Sequence, residues 1–300
     1  MLKFLKQWTL PIAILIGSVF YKYVGAISFL TPYLIFFMLL LAFCKISPRQ
    51  MKPHRSHLLL LAIQLLGSIG VYYLLAPYNV IVAQGAMMTM LAPTATAATV
   101  VTSILGGDVA YLTTYLLLIN VSVAFSAPAI FSVLGTNPDM HFWQSFFYIC
   151  QHIGPLMLLP LILAMALRKW TPRWHAKLLE MHGLAYYLWA IAVVAVMGKT
   201  VSFIVERGIK DMKIEIALGL VSIILLVGQF FLGRYLGHKR GEPISSGQGL
   251  GQKNTVIAIW MSQMYLDPLS SVAPAACVIW QNVINSWQMW HHEKKQIKKR

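Results

Sequence analysis

The sequence predicts an all-α integral membrane protein of about ten transmembrane helices, two of them broken. Three observations lead there. First, 58% of the 300 residues are hydrophobic and only 11% are charged, and the mean hydropathy of +0.67 is far above that of a soluble domain. Second, long apolar runs recur along the whole chain without period-two alternation, which favours helices over barrel strands. Third, two of those runs are interrupted by polar residues: Leu91-Ala-Pro-Thr-Ala-Thr-Ala-Ala-Thr99 and Gly247-Gln-Gly-Leu-Gly-Gln-Lys-Asn-Thr255. Lipid offers no hydrogen-bond partners, so unwound backbone and a lysine at such depth must be enclosed by protein or line an aqueous cavity. Broken segments in corresponding positions of two halves point to a transporter site near the midplane.

The first span is expected from about Thr9 to Tyr23. Lys3 and Lys6 before an apolar run resemble a signal peptide, but no small-residue cleavage site follows near Gly25, so the run is read as a span. Span 2 covers Ala26 to Phe43, and span 3 covers His57 to Leu75, with the polar Gln64 in its middle. Span 4 starts near Val80, breaks at Ala92-Pro93, where proline removes a donor and clashes with the preceding turn, and resumes from Thr94 to Leu105. Span 5 runs from Val109 to Leu134, and Thr136-Asn-Pro-Asp139 is a turn. Span 6 covers Phe142 to Leu167 and span 7 Gly183 to Val205. Span 8 covers Ile216 to Leu236, the glycine-rich stretch breaks span 9 before Val256 to Tyr265, and span 10 runs from Leu269 to Trp290.

A formal charge of +15 would suit nucleic acid, but the cations sit in short loops and in the tail, which is the positive-inside pattern of a membrane protein. Lys45, Arg49, Lys52 and Arg55, then Arg168, Lys169, Arg173 and Lys177, then Lys239, Arg240 and the C-terminal cluster all fall on one side if the N-terminus is inside. Lys22, Lys199, Arg207, Lys210 and Lys213 fall toward the other. Both termini are therefore expected in the cytoplasm, with the protein in the plasma (inner) membrane. Trp8, Tyr21, Tyr23, Tyr72, Tyr73, Trp170, Trp174 and Trp290 near span ends read as interfacial belts. Five spans per half is an odd number, so if residues 1–137 and 138–300 are related repeats, the second is inverted.

Several chemistries are not expected. Carboxylates are nearly missing from the spans, which argues against proton-antiporter or protease centres and against an enzyme. Cys44, Cys150 and Cys277 have no paired spacing, so neither a disulfide nor a metal site is expected. His152 is read as a packed or hydrogen-bonded residue, and the glycine-rich run precedes no strand and so makes no nucleotide loop. No cofactor, nucleic acid or obligate protein partner is expected; the partners are the lipid bilayer and a small solute.

Helix N-termini at the two breaks suit an anionic group, and threonines at 94, 96, 99 and 102, with Asn254 and Thr255, crowd them. The order of residues here resembles the bile acid:sodium symporter family. Pro93 to Ala110, ending Thr102-Ser-Ile-Leu-Gly-Gly-Asp-Val-Ala, is similar to its fourth-span signature, and Gly251-Gln-Lys-Asn-Thr255 to its ninth-span Gly-Met-Gln-Asn-Ser. Pro274 to Asn282 is similar to its tenth span, and Gln64 matches its third-span Gln. The resemblance implies a panel domain (spans 1, 2, 6, 7) and a core domain (spans 3–5, 8–10) in which spans 4 and 9 cross. It also implies transport of a small organic anion or bile-acid-like amphipathic acid, with substrate contacts at Thr96, Thr99, Asn254, Thr255 and Asn282.

The departures from that pattern predict degenerate sodium sites. Ala98 and Thr99 stand where relatives have a Ser-Asn pair, and Leu112 and Leu116 replace hydroxyls. Gly249 replaces the acidic residue shared by both sodium sites, and Lys253 replaces the ninth-span Gln. Gln64, Gln252 and Lys253 are the expected ion-site or charge-substitute residues, with Lys253 a built-in cation whose unpaired burial would cost roughly 2.5–3.5 kcal/mol. The competing readings are a structural lysine snorkelling into a cavity, a sodium symporter with a rearranged site using Gln248 and Gln252, and a non-transporting sensor on the same fold.

Overall fold

The computed structural model describes residues 12–46, 51, 53–134, 141–181 and 184–297. Outside these lie Trp8, Lys3, Lys6, Arg49, Lys52, the turn at Thr136–Asp139, the repeat boundary at 137 and the last three residues of the tail. Among the described residues the chain is helical, with no strand. Six helices are long and apolar enough to cross a membrane, so the protein is an all-α membrane protein.

Helix α1 covers residues 12–19; α2 (Tyr21–Val24) leads through a 3-10 turn into α3 (Thr31–Cys44). Helices α4 (Arg55–Leu75), α7 (Val109–Leu134), α8 (Phe142–Trp170), α10 (Leu184–Arg207) and α11 (Met212–His238) are the remaining long apolar elements. Pro155 and Pro160 sit inside α8 without ending it. Helix α14 (Val272–Ile297) carries the chain out through its cationic end. Helices α5 (Val80–Leu91) and α6 (Ala97–Leu105), like α12 (Pro243–Gly251) and α13 (Thr255–Tyr265), are the short pieces on either side of the two breaks.

Three sequence expectations need correction. The residues Arg173 and Lys177, read as loop, belong to α9 (Pro172–Glu180), a short amphipathic helix started by Pro172. It is held by His175, whose Nε2 lies 3.1 Å from the Cys44 carbonyl oxygen. Tyr72, read as interfacial, is buried, while Tyr73, Trp170, Trp174 and Trp290 are exposed. The third correction is the largest. Gly247, Gly249 and Gly251 are helical and buried within α12, and the break is confined to residues 252–254. The glycines serve close packing: a Cβ on Gly251 would collide with the Phe230 ring, and one on Gly249 would lie 2.9 Å from Tyr115 Cδ1.

Helix α11 packs on α12, α14 and α5, and α4 packs on α5 and α7, while α3 lies against α8 and α10. Polar ties join α10 to the α13–α14 region near the end carrying Arg207. Arg207 Nη2 donates to both Asp267 oxygens at 2.8 and 2.7 Å, and Asp211 adds a 3.5 Å ion pair. About two turns deeper along α10, Gln263 Nε2 donates to Thr200 Oγ1 at 3.0 Å, and the Thr200 and Ser271 hydroxyls are 3.3 Å apart. At the opposite end, marked by Lys45, α3 faces α13 and α14 across a cavity.

Candidate functional site

The two breaks meet as a short antiparallel bridge between Thr94 and Lys253. Pro93 explains the first: residue 92 is forced out of the helical region by the following proline, and Ala92 sits at φ −47°, ψ 130°. No proline explains the second, where Gln252 turns extended at φ −95°, ψ 102°. The backbone groups released at each break satisfy one another. Ala95 N–H donates to Gln252 O at 2.9 Å and Asn254 N–H donates to Pro93 O at 2.7 Å. Buried main-chain donors and acceptors must find such partners.

Side chains complete the crossing. Gln64 Nε2 donates to Ala92 O at 2.6 Å and reaches Leu91 O at 3.4 Å, while Tyr115 Oη donates to Gln64 Oε1 at 2.7 Å. Lys253 Nζ donates to Met90 O at 3.0 Å. The carbonyls that α5 leaves open are thus taken by one amide and one ammonium, and a cation at a helix C-terminus is favoured by the dipole. Thr94 Oγ1 donates to Gly249 O at 2.7 Å, and the Lys253 N–H donates to Gln281 Oε1 at 3.0 Å.

A cavity of about 490 Å³ lies beside this crossing, within the size range of small-molecule sites. The expected residues Thr96, Thr99, Gln252, Lys253, Asn254, Thr255 and Asn282 all line it, whereas Gln64 does not and sits behind the bridge. On the far wall stand Met38, Leu41 and Lys45 from α3 and Trp189 from α10. The N-terminal ends of α6 and α13 both border the cavity. Asn254 caps α13 through its Oδ1, 3.4 Å from the Ile257 N–H; Thr96 begins α6 without capping it by its side chain.

Not every hydroxyl is committed to the cavity. Thr99 Oγ1 donates to Thr96 O at 2.8 Å, as a helical threonine does, and Asn282 Nδ2 donates to Val278 O at 2.6 Å. Lys253 is 1% exposed, so its charge reaches the cavity from behind the bridge and its ammonium must leave Met90 O to touch a ligand. Gln252 Oε1 is buried with no partner among the described residues. Two important groups were not expected from the sequence: Gln281, one residue from Asn282, and Tyr115, between Leu112 and Leu116. Both belong to long helices whose facing side no local pattern sets, and Tyr115 is signalled only by the small residue at 249 that makes room for it.

Leu112 and Leu116 are buried, as is Ala98. The Tyr115 ring fills the space beside Gly249, so the volume where a carboxylate at 249 would stand is occupied by an aromatic edge. Among the described residues no cluster of three His, Cys, Asp or Glu side chains can hold a metal. No protein-family model matches the chain, and no curated protein matches it.

Proposed function

We propose that the chain is a secondary transporter of a small organic anion or amphipathic acid, working by alternating access with Lys253 as a built-in cation. The fold we infer is ten spans in two inverted five-helix repeats, similar to the bile acid:sodium symporters, with α5–α6 and α12–α13 as the crossing spans 4 and 9. The observation that carries the reading is the bridge itself: two broken helices cross main chain to main chain, and the N-terminal ends of α6 and α13 border one cavity. Oriented backbone N–H groups and the positive ends of two helix dipoles favour an anion there.

The polar ties at the Arg207 end and the cavity at the Lys45 end support a state closed on one side and open on the other. By the charge distribution the open side is cytoplasmic. Rocking of the α3–α10 layer against the crossing helices would exchange the two. The ammonium of Lys253 against Met90 O, with leucines at 112 and 116 and Tyr115 beside Gly249, supports the loss of sodium ligands, since a sodium ion needs several close oxygens. The orphaned Oε1 atoms of Gln248 and Gln252 favour a rearranged sodium site.

The test is uptake of taurocholate and of pyruvate, as a bile-acid and a keto-acid probe, into proteoliposomes in sodium or choline chloride. Saturable uptake that is equal in both salts is expected, falling at least tenfold or becoming sodium-dependent in Lys253→Gln. Sodium-dependent uptake by the wild type would transfer the reading to the Gln252 site. Probe-dependent thermal stabilisation with no uptake would overturn transport in favour of a sensor.

A further inference from the structure

A second cavity, of about 560 Å³, lies at the other end of the molecule between the start of α3, the middle of α8, α10 and the end of α13. Its walls are mostly apolar: Phe29, Tyr33, Phe36, Leu156, Trp260 and Met264. Lys199 opens into it, and its Nζ lies 5.8 Å from the Phe203 ring centroid. Eight residues separate Lys199 from Arg207 at the helix end, so the lysine sits about 12 Å along the axis from that end.

A cation at this depth in an apolar helix ordinarily has a carboxylate or a functional ligand. Among the described residues no carboxylate pairs with Lys199. The acids toward that end face other groups: Asp211 and Asp267 hold Arg207, and Glu206 accepts from Ser202 at 2.8 Å. The cavity therefore combines one uncompensated positive charge with a long aromatic and aliphatic wall. We propose that it binds a single-chain amphipathic carboxylate, with the head on Lys199 and the tail along Phe36, Leu156 and Trp260. A monoanion matches because Arg207, the next cation along α10, is already neutralised by its own pair of acids.

This cavity and the one at the crossing are strung along the same two helices. Helix α3 lends residues 31–36 to one and Met38 to Lys45 to the other, and α13 lends Trp260 to one and Thr255 to the other. On α13 the stretch between them, Val256 to Ile259, is buried throughout. On the transport reading the Lys199 cavity is then the waiting place on the far side of the barrier, and the substrate class narrows to acids that carry an apolar tail.

Binding is read without any flux, by bromine quenching of tryptophan fluorescence in zwitterionic nanodiscs titrated with a terminally brominated undecanoate. Saturable quenching that is strongly reduced in Trp260→Phe is expected for the wild type, with Lys199→Met raising the half-quenching concentration at least tenfold and Lys199→Arg leaving it within about threefold. The brominated alcohol of equal length should show no Lys199 dependence. Equal titrations for wild type and Lys199→Met, or a carboxylate no better than the alcohol in the wild type, would overturn the site. Either result leaves uptake at the crossing cavity standing, whereas loss of uptake with intact quenching removes only the transport reading.

Discussion

The two breaks reach the same crossing by different means. In the first, Pro93 deletes a donor and pushes Ala92 out of the helical region, so the interruption is written locally. In the second, α12 stays helical through three glycines, and only Gln252 to Asn254 leave the helix. Nothing in those three residues forbids a helix. They are drawn out by bonds to distant segments: Pro93 O, the Ala95 N–H and the Gln281 side chain. One break is therefore coded in its own residues and the other is imposed by the partner it meets.

That contrast can be broken most severely at Gln64, which serves the first break from outside. Gln64→Leu leaves Ala92 O without its donor and Tyr115 Oη without its acceptor in a buried region. At about 1–3 kcal/mol per buried orphan, the thermal midpoint of the purified protein should fall further than for any other change here. An unchanged midpoint would mean that water reaches the back of the bridge. Gln281→Leu comes next, orphaning the single N–H of Lys253 at about 1–3 kcal/mol; its loss of stability should be about half that of Gln64→Leu. If the second break were locally coded, this variant would be nearly silent.

Gly251→Ala probes why the glycines are there. A Cβ would press into the Phe230 ring, so overpacking of about 1–3 kcal/mol is expected, and that penalty should shrink when Gly251→Ala is measured against Phe230→Ala as its reference. Full stability of the single variant would refute the close-packing role. The smallest effect belongs to Pro93→Ala. With Gln64, Asn254 and Gln252 still holding the crossing, a drop of about 1 kcal/mol, the low end of the cost of a buried donor, is expected, because the restored N–H is the only new buried group. A large drop would show that the proline, and not its partners, maintains the break.

The same contrast explains what could be read from the chain beforehand. The long apolar helices follow from hydropathy alone, and Pro93 marks its own break. The glycine run points to the right place for a different reason, since glycine in a membrane helix also marks close packing. Thr96, Asn254 and Thr255 could be nominated for the cavity because helix starts are visible in sequence. Gln281 and Tyr115 could not, because α7 is apolar on most sides, α14 offers amides at 281, 282, 285 and 288, and nothing local says which of them meets the bridge. Gln64 was visible as a buried amide, but only the folded chain reveals that it serves carbonyls and not the cavity.

The bridge between Thr94 and Lys253 is made by main-chain groups, and every amino acid except proline carries both of them. The bridge itself is thus indifferent to which residues stand at 94 and 253, and the demands on sequence fall on the flanking side chains that serve it, Gln64 and Gln281. A pocket edged by main chain can change its lining one side chain at a time and keep its frame.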